Sequence, residues 1–444
     1  MLRVQYTLPI GIAQEMRDFA AMRVLVIGSG AREHALCWAF RQAPQLTYLA
    51  CLSGNGGTTQ LATNVALDQM DFAACADWAA AHQIDLTIIG PDDPLGGGIV
   101  DVFQARGLRC LGPTKLAARI ESSKVWAKAF MQRHAIPTAQ AEVVTAATLE
   151  QTVQHLHSPT ATFPVAVKVD GLAAGKGVII AQNADEAEAA LRGMISEQRF
   201  GTAGGRVLLE SFMTGREVSV FALCDGQHYR LLGTACDHKR AYDGDLGDNT
   251  GGMGAYAPAD WLPAATLDEI DRTIIQPTIA GMAAEGLPFQ GFLFVGVIIT
   301  SQGPRVIEFN ARLGDPETQV ILPLLATSLL DLCVAAADGT LAAQPALQWH
   351  AGAACGVVLA ARDYPASGAK GLPISGLATI DPDVLVFQAG TRLHDGGVLE
   401  ANGGRILTVV GLGADRTAAR ARAYANIDRI SFEGARYRRD IGAR

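Results

Sequence analysis

The sequence predicts a multidomain chain of mixed α/β and α+β type. An open parallel α/β domain opens it, a central mixed domain follows, and a small α+β domain closes it. Three observations predict this. The 444 residues exceed what one hydrophobic core usually organises. Near the N-terminus, short apolar strands alternate with helical patterns and run into glycine-rich turns, as in open parallel sheets that bind ligands at the strands' carboxyl ends. Past Gln344 the pattern changes to short β-runs such as Ala354 to Leu359 and Ile406 to Gly411.

Taken in order, Val24 to Ile27 is an apolar strand ending in Gly28-Ser29-Gly30, with a helical pattern from Ala35 to Arg41. Strands follow over Tyr48 to Leu52, over Leu86 to Ile89 ending at Gly90-Pro91, and over Leu108 to Leu111 ending at Gly112-Pro113. Lys124 to Ile136 reads as a helix that Pro137 closes. Val165 to Val169 and Val178 to Ala181 flank a glycine loop; Val207 to Phe212 and Val218 to Leu223 flank a turn at Gly215. Helices are predicted over Leu267 to Glu285 and Pro323 to Ala337.

Nearly half the residues are hydrophobic and 18% are charged, which supports a sizeable core and excludes global disorder. The net charge of -8, spread without long runs, argues against a nucleic-acid partner. Eight cysteines without CxxC spacing point to a reducing, cytoplasmic setting rather than zinc or disulfide frameworks. No apolar run reaches the roughly 20 residues a bilayer requires, so no membrane partner is expected. Residues 1–21 make a poor signal peptide and read as a loose extension, or as a segment upstream of a native start at Met22.

Chemistry concentrates in four stretches. In Arg305 to Glu317, Val306, Ile307 and Phe309 suggest a buried strand, so Glu308 and Asn310 project together with Arg312 next on that side. A carboxylate and an amide oxygen on one face suit a hard cation, and the arginine suits a phosphate or carboxylate; a solvated strand edge fits the same pattern. In the first glycine loop, Glu33 occupies the place of the third glycine of the dinucleotide fingerprint, which disfavours a nicotinamide site. Arg32 and free N–H groups still suit a phosphate there, as does a plain tight turn. Asp170-Gly171-Leu172-Ala173-Ala174-Gly175-Lys176-Gly177 resembles a Walker loop. Its glycines are one residue too close, and strands lie on both sides. A β-hairpin flap over phosphates fits better, with Lys168 on the incoming strand; a structural glycine turn is the alternative. Last, Asp237-His238-Lys239-Arg240 through Asn249-Thr250-Gly251-Gly252-Met253-Gly254 has the density of cations, carboxylates and glycines of a substrate loop, or of a flexible linker.

In this order, from about Met22 to the C-terminus, these stretches resemble the ATP-grasp ligases, and among them the phosphoribosylamine–glycine ligase family. The words that carry the resemblance are Gly28 to His34, Gly112-Pro113-Thr114-Lys115, Asp170 to Val178, Asp237 to Arg240, Asn249 to Tyr256 and Glu308 to Gln319. It implies ATP-dependent joining of glycine to 5-phosphoribosylamine through glycyl phosphate, the second step of purine biosynthesis. It implies ATP and Mg²⁺ or Mn²⁺, and a monomer acting on small molecules is expected. Glu308 and Asn310 would hold the metal. Lys124, Lys168, Gly171, Gly175, Lys176, Gly177, Glu210, Phe212 and Glu217 would bind the nucleotide. Gly28, Gly30, Arg32, Glu33, Asp237, Gly251 and Gly252 would bind substrate, and Arg312, Asp315, Lys239 and Asn249 would serve catalysis. The implied domains are an extension (1–21), an N-terminal α/β domain (22–124), an ATP-grasp domain (125–343, its flap at about 145–213) and a C-terminal α+β domain (344–444).

Two departures stand out: Ala31 where the family commonly has glycine, and Asp248 where it often has proline. Neither removes an implied ligand. Competing readings are an ATP-grasp ligase with another acceptor, a non-catalytic nucleotide-binding protein and, more remotely, a dehydrogenase.

Overall fold

A computed structural model describes residues 21–443, apart from 173–176, 198, 200–204 and 395. The extension before residue 21 and the flap positions Gly175 and Lys176 therefore lie outside the described residues.

The first sheet is parallel throughout, in the order Thr63–Val65, Leu46–Ser53, Met22–Gly28, Leu86–Ile89, Cys110–Leu111. The chain moves outward from Met22–Gly28 in both directions, which makes its carboxyl end a switch point where ligands collect. The helix beyond it begins at Ala31, four residues earlier than its apolar pattern indicates. The reason is local: Glu33, at the third helical position, accepts the Gly30 N–H at 2.6 Å and closes the first turn.

The flap is a four-stranded antiparallel sheet, ordered Ala141–Thr145, Arg206–Ser211, Val165–Val169, Val178–Ala181. Two helices, Leu149–Leu156 and Ala184–Ile195, cover it and close a small core of its own around Val167, Leu191 and Val207. The expected hairpin is present, with Lys168 opposite Val178. The sheet starts at Ala141, slightly earlier than the sequence suggests.

An eight-stranded antiparallel sheet forms the body. Its order is Gly303–Asn310, Gln290–Thr300, Arg216–Asp225, Tyr229–Asp237, Gly254–Ala257, Ala353–Ala360, Arg405–Gly413, Leu385–Gln388. Three strands past Gln344 thus extend the central sheet, while Leu372–Pro373, Leu399–Ala401 and Thr391–Leu393 form a small antiparallel sheet of their own. The apolar run Ala353–Ala360 is wholly buried and needs neighbours on both edges, which Gly254–Ala257 and Arg405–Gly413 supply.

Two predicted helices differ from expectation. Pro323 to Ala337 is interrupted: a short turn at Leu322–Leu324 ends in extended backbone at Leu325. Ser328 then caps a new helix, Leu329–Ala337, by accepting the Asp331 N–H. The segment from Ala264 to Ala284 carries a π turn at Asp271–Ile275, just before Pro277. A proline has no N–H to give the preceding turn, and the wider turn accommodates it.

Candidate active site

The nucleotide half is built on strands. Lys168 and Lys128 both ion-pair with Glu210, at 2.6 and 2.7 Å, and all three side chains are buried. One carboxylate between two cations leaves a net positive charge, as a phosphate site requires. Lys168 also donates to the Ile307 carbonyl at 3.3 Å. Ile307 sits at a register shift: Val306 faces Val297 while Glu308 faces Gly296, so a bulge re-aims the strand just before Glu308. Lys124 opens the helix Lys124–Arg133 and donates to the Gly171 carbonyl at 2.8 Å. Beside it, Asp170 accepts from Ser123 Oγ and the Val125 N–H and pairs with Arg206 at 2.6 Å. The base of the flap is therefore pinned to the start of that helix. Gly177 closes the hairpin, its carbonyl accepting the Val169 N–H. Phe212, 42% exposed, lines an open crevice of about 310 Å³ with Thr138, Gln140, Ser211 and Arg305.

At the centre, Lys239 Nζ lies 3.6 Å from Glu217 and 3.8 Å from Glu308. Burial pushes the Glu308 carboxyl up, but Lys239, Lys168, Lys124 and Arg312 outweigh it and hold the group below its usual range. Asn310 accepts from Arg312 Nη2 at 3.2 Å, and its Nδ2 is buried without a hydrogen-bond partner. Among the described residues no group of three His, Cys, Asp or Glu side chains could hold a metal. An ionised carboxylate beside an amide oxygen, which has a second lone pair free of Arg312, fits a magnesium-like ion, which takes one or two protein oxygens and completes its shell from phosphates and water.

The strand ends at Asn310, so Arg312 lies just past it. Glu121 holds it there: one carboxylate oxygen accepts the Ala311 N–H at 2.7 Å, the other lies 3.4 Å from Arg312 Nη2. Burial raises the Glu121 carboxyl to about 7 despite that partner. Arg312 Nε is buried and unpaired, leaving a donor for a ligand.

The acceptor half joins distant segments. A Cβ on Gly30 would stand 3.2 Å from Asp315 Oδ2, so the first glycine loop closes directly on the strand-end motif. Arg405, from a C-terminal strand, donates to the carbonyls of Asp315 and Gly251, each at 2.7 Å. Burial raises the Asp315 carboxyl, but Arg405, Arg32 and Gln319 hold it below its ordinary range. Gly251 donates to Tyr364 Oη, and Gly252 has φ +111° with Pro316 Cδ 2.4 Å from where a Cβ would lie. That position is closed to any side chain, by conformation and by space alike. Asn249 pairs across a short hairpin with Arg240, and Asp237 is paired with Ala255. Burial raises the Asp237 carboxyl against the pull of Lys239.

Glu33 requires correction. Expected to face substrate, it is 1% exposed, accepts from the Gly30 N–H and Arg32 Nε, and fills the space that side chains at Gly28 and Gly90 would take. It shapes the loop from beneath. Arg32 is buried with it, donating to the Leu313 carbonyl at 3.2 Å. Glu210 likewise has its carboxylate committed to two lysines, and its strand is paired on both edges, with Ala141 and with Ala166. Lys128, Glu121 and Arg405 were missed. Lys128 had a signal, a second lysine one helical turn after Lys124; the others act across the fold and had none.

Two buried lysines around one carboxylate, a hairpin beside them and a Glu308–Asn310 pair on an antiparallel sheet are the arrangement an ATP-grasp enzyme would need. The chain belongs to the phosphoribosylglycinamide synthetase family, matching its N domain over residues 22–121, its ATP-grasp (A) domain over 122–318 and its C domain over 354–444. It is 48% identical to phosphoribosylamine–glycine ligase of Allochromatium vinosum over 427 residues, covering 95% of this chain and 98% of that one. It is 45% identical to the Salmonella typhimurium enzyme of the same name, covering 95% and 98%. The crystal structure of phosphoribosylamine–glycine ligase from Thermotoga maritima matches with TM-score 0.82 at 34% identity, over 95% of this chain and 100% of that one. A biotin carboxylase from Campylobacter jejuni shares the fold, with TM-score 0.68 at 16% identity over 94% and 93%.

Proposed function

We propose that this enzyme joins glycine to 5-phosphoribosylamine at the expense of ATP, giving glycinamide ribonucleotide, ADP and phosphate. A carboxylate is a poor electrophile. Transfer of the γ-phosphoryl group to a glycine carboxylate oxygen makes glycyl phosphate and releases ADP. The amine of phosphoribosylamine then attacks the carbonyl carbon, the C–O bond to phosphate breaks, the nitrogen loses a proton, and an amide remains.

Such transfer needs positioning and charge neutralisation more than a protein nucleophile. Lys168 and Lys124 take the nucleotide phosphates. Glu308 and Asn310 would hold the divalent cation, Mg²⁺ or Mn²⁺, which when bound draws charge from the phosphates. Arg312, held by Glu121, meets the moving phosphoryl group, and Glu217 accepts from the ribose hydroxyls. Asp237, Lys239 and Asn249 to Gly252 surround glycine, with Asp315 between them and the Gly28 to Gly30 loop, where phosphoribosylamine docks. The flap excludes water, which would hydrolyse the acyl phosphate.

The observation that supports this reading is the close approach of Asp315 to Gly30, where a Cβ would stand 3.2 Å from its carboxylate, so that the loop proposed for phosphoribosylamine lies beside the segment that carries Glu308 and Arg312. A screen of ADP release with glycine and other amino acids, with phosphoribosylamine and Mg²⁺ present, tests it. Glycine alone should support full turnover; equal rates with another amino acid would reassign the substrate, and ATP binding without ADP release would reduce the chain to a binding protein.

A further inference from the structure

The chain's last residues close on the loop that carries Lys239. Arg438 is 1% exposed and ranks among the largest fully buried side chains. Its guanidinium donates to the Arg240 carbonyl at 3.0 Å and to Asp245 at 2.9 Å, and pairs with Asp440 at 2.7 Å. Around it, Arg436 donates to the Ala241 carbonyl at 2.8 Å. The Arg439 N–H donates to Asp243 at 2.7 Å and the Gly244 N–H to Asp440 at 2.9 Å. The Gly442 N–H reaches His238 Nε2 at 3.4 Å. From 238 to 245, the loop is thus bonded to the tail at both ends and at its tip.

The loop's root is held by backbone bonds, the His238 N–H donating to the Gly254 carbonyl at 2.9 Å and the His238 carbonyl accepting the Met253 N–H at 2.8 Å; beyond that root the tail supplies much of its fixing. Among the described residues its hairpin strands, Arg240–Tyr242 and Leu246–Asn249, pair only with each other, and Tyr242 and Leu246 are exposed. A two-stranded hairpin is marginal in water. Yet the residue before Arg240 is Lys239, whose amine must sit between Glu217 and Glu308. The Lys239 carbonyl accepts from the Thr250 N–H at 2.7 Å, which ties the hairpin to the Gly251-Gly252 turn. Moving the Arg240 carbonyl therefore moves Lys239 and the turn together.

We infer that Arg438, with the 436–442 tail, is a positioning residue for the substrate loop: it touches no reactant and sets where Lys239 and Asn249 to Gly252 stand. Burying an arginine is costly unless its donors are met. Here two hydrogen bonds go to this loop and two to Asp440 of the tail, which in turn accepts the loop's Gly244 N–H. The inference rests on the reading of Asp237 to Gly252 as the glycine-binding loop.

The test compares Arg438→Gln, Arg438→Lys and Asp243→Ala with Lys239→Ala as the control. Displacement of about 1 Å can lower a rate about a hundredfold. Arg438→Gln should raise the glycine KM at least about tenfold while the Kd of a fluorescent ATP analogue stays within about twofold. Lysine should rescue poorly, since a point charge cannot serve carbonyl and carboxylates together. If Arg438→Gln does not fold, exposed Asp243→Ala carries the test, with a several-fold rise in glycine KM and faster amide exchange over 238–249. An unchanged glycine KM in every tail variant that folds, with Lys239→Ala defective, would overturn the inference alone. An unchanged glycine KM in Lys239→Ala would overturn the reading of the loop, and the inference with it.

Discussion

The two halves of the site are built by opposite means. The nucleotide half draws on strand geometry: Lys168 and Glu210 stand on paired strands of the flap sheet and Glu308 on the edge strand of the central one, and they take their directions from alternation and one bulge. The acceptor half is assembled from segments hundreds of residues apart. Gly30 meets Asp315, Arg405 holds Gly251, and Asn55 ties the Ser29 and Gly30 carbonyls to that of Gln388. A half aimed by strand geometry should tolerate change in the C-terminal chain. A half built by long-range bonds should fail by misplacement, with its chemistry intact. Mutations that touch one half and not the other can break this contrast.

The largest effect is expected at Glu308→Ala, which should lower turnover by about three powers of ten with melting unchanged, because charge neutralisation at the phosphates is lost. Turnover near wild type at saturating Mg²⁺ would remove the metal role. Arg312→Lys should lower kcat by about a hundredfold, since a point charge replaces a fork. An unaffected kcat would place Arg312 outside the reacting groups. Glu210→Gln leaves two buried lysines without their counter-charge and should destabilise the fold by about 3–5 kcal/mol while weakening ATP binding, read by denaturant melts with and without nucleotide.

A smaller effect separates the halves by pH. His34 is buried, its Nδ1 accepts the Gln388 N–H, and burial lowers its pKa to about 4. The unfolded chain binds that proton near pH 6.5, so the contribution is fully present above pH 6.5 and is lost as pH falls toward 4. That amounts to about 3 kcal/mol at most. His34→Gln should flatten the acid limb of stability; an unchanged limb would assign it to other groups, such as His238, whose pKa burial also lowers to about 4.

This contrast also explains what the sequence made legible. Glu308, Asn310 and Lys168 were readable because strand periodicity alone aims them. The flap hairpin was readable because its glycines lie between two apolar runs. Glu33 was misread because a carboxylate in a glycine loop looks the same whether it faces a ligand or the loop's own N–H groups; only the missing Cβ atoms at Gly28 and Gly90 reveal the space it fills. Arg405, Glu121 and Arg438 act on carbonyls and N–H groups of residues 90 to 198 positions away, and backbone acceptors leave no mark in a sequence. The interrupted helix after Pro323 was hidden because its apolar pattern continues through the break.

The account stands on the transfer of a phosphoryl group to the glycine carboxylate, and isotope transfer tests that step directly. Glycine labelled with ¹⁸O in both carboxylate oxygens is turned over with ATP and phosphoribosylamine, and the released phosphate is analysed by mass. One ¹⁸O in the phosphate for each amide formed is predicted; unlabelled phosphate from a completed reaction would contradict it.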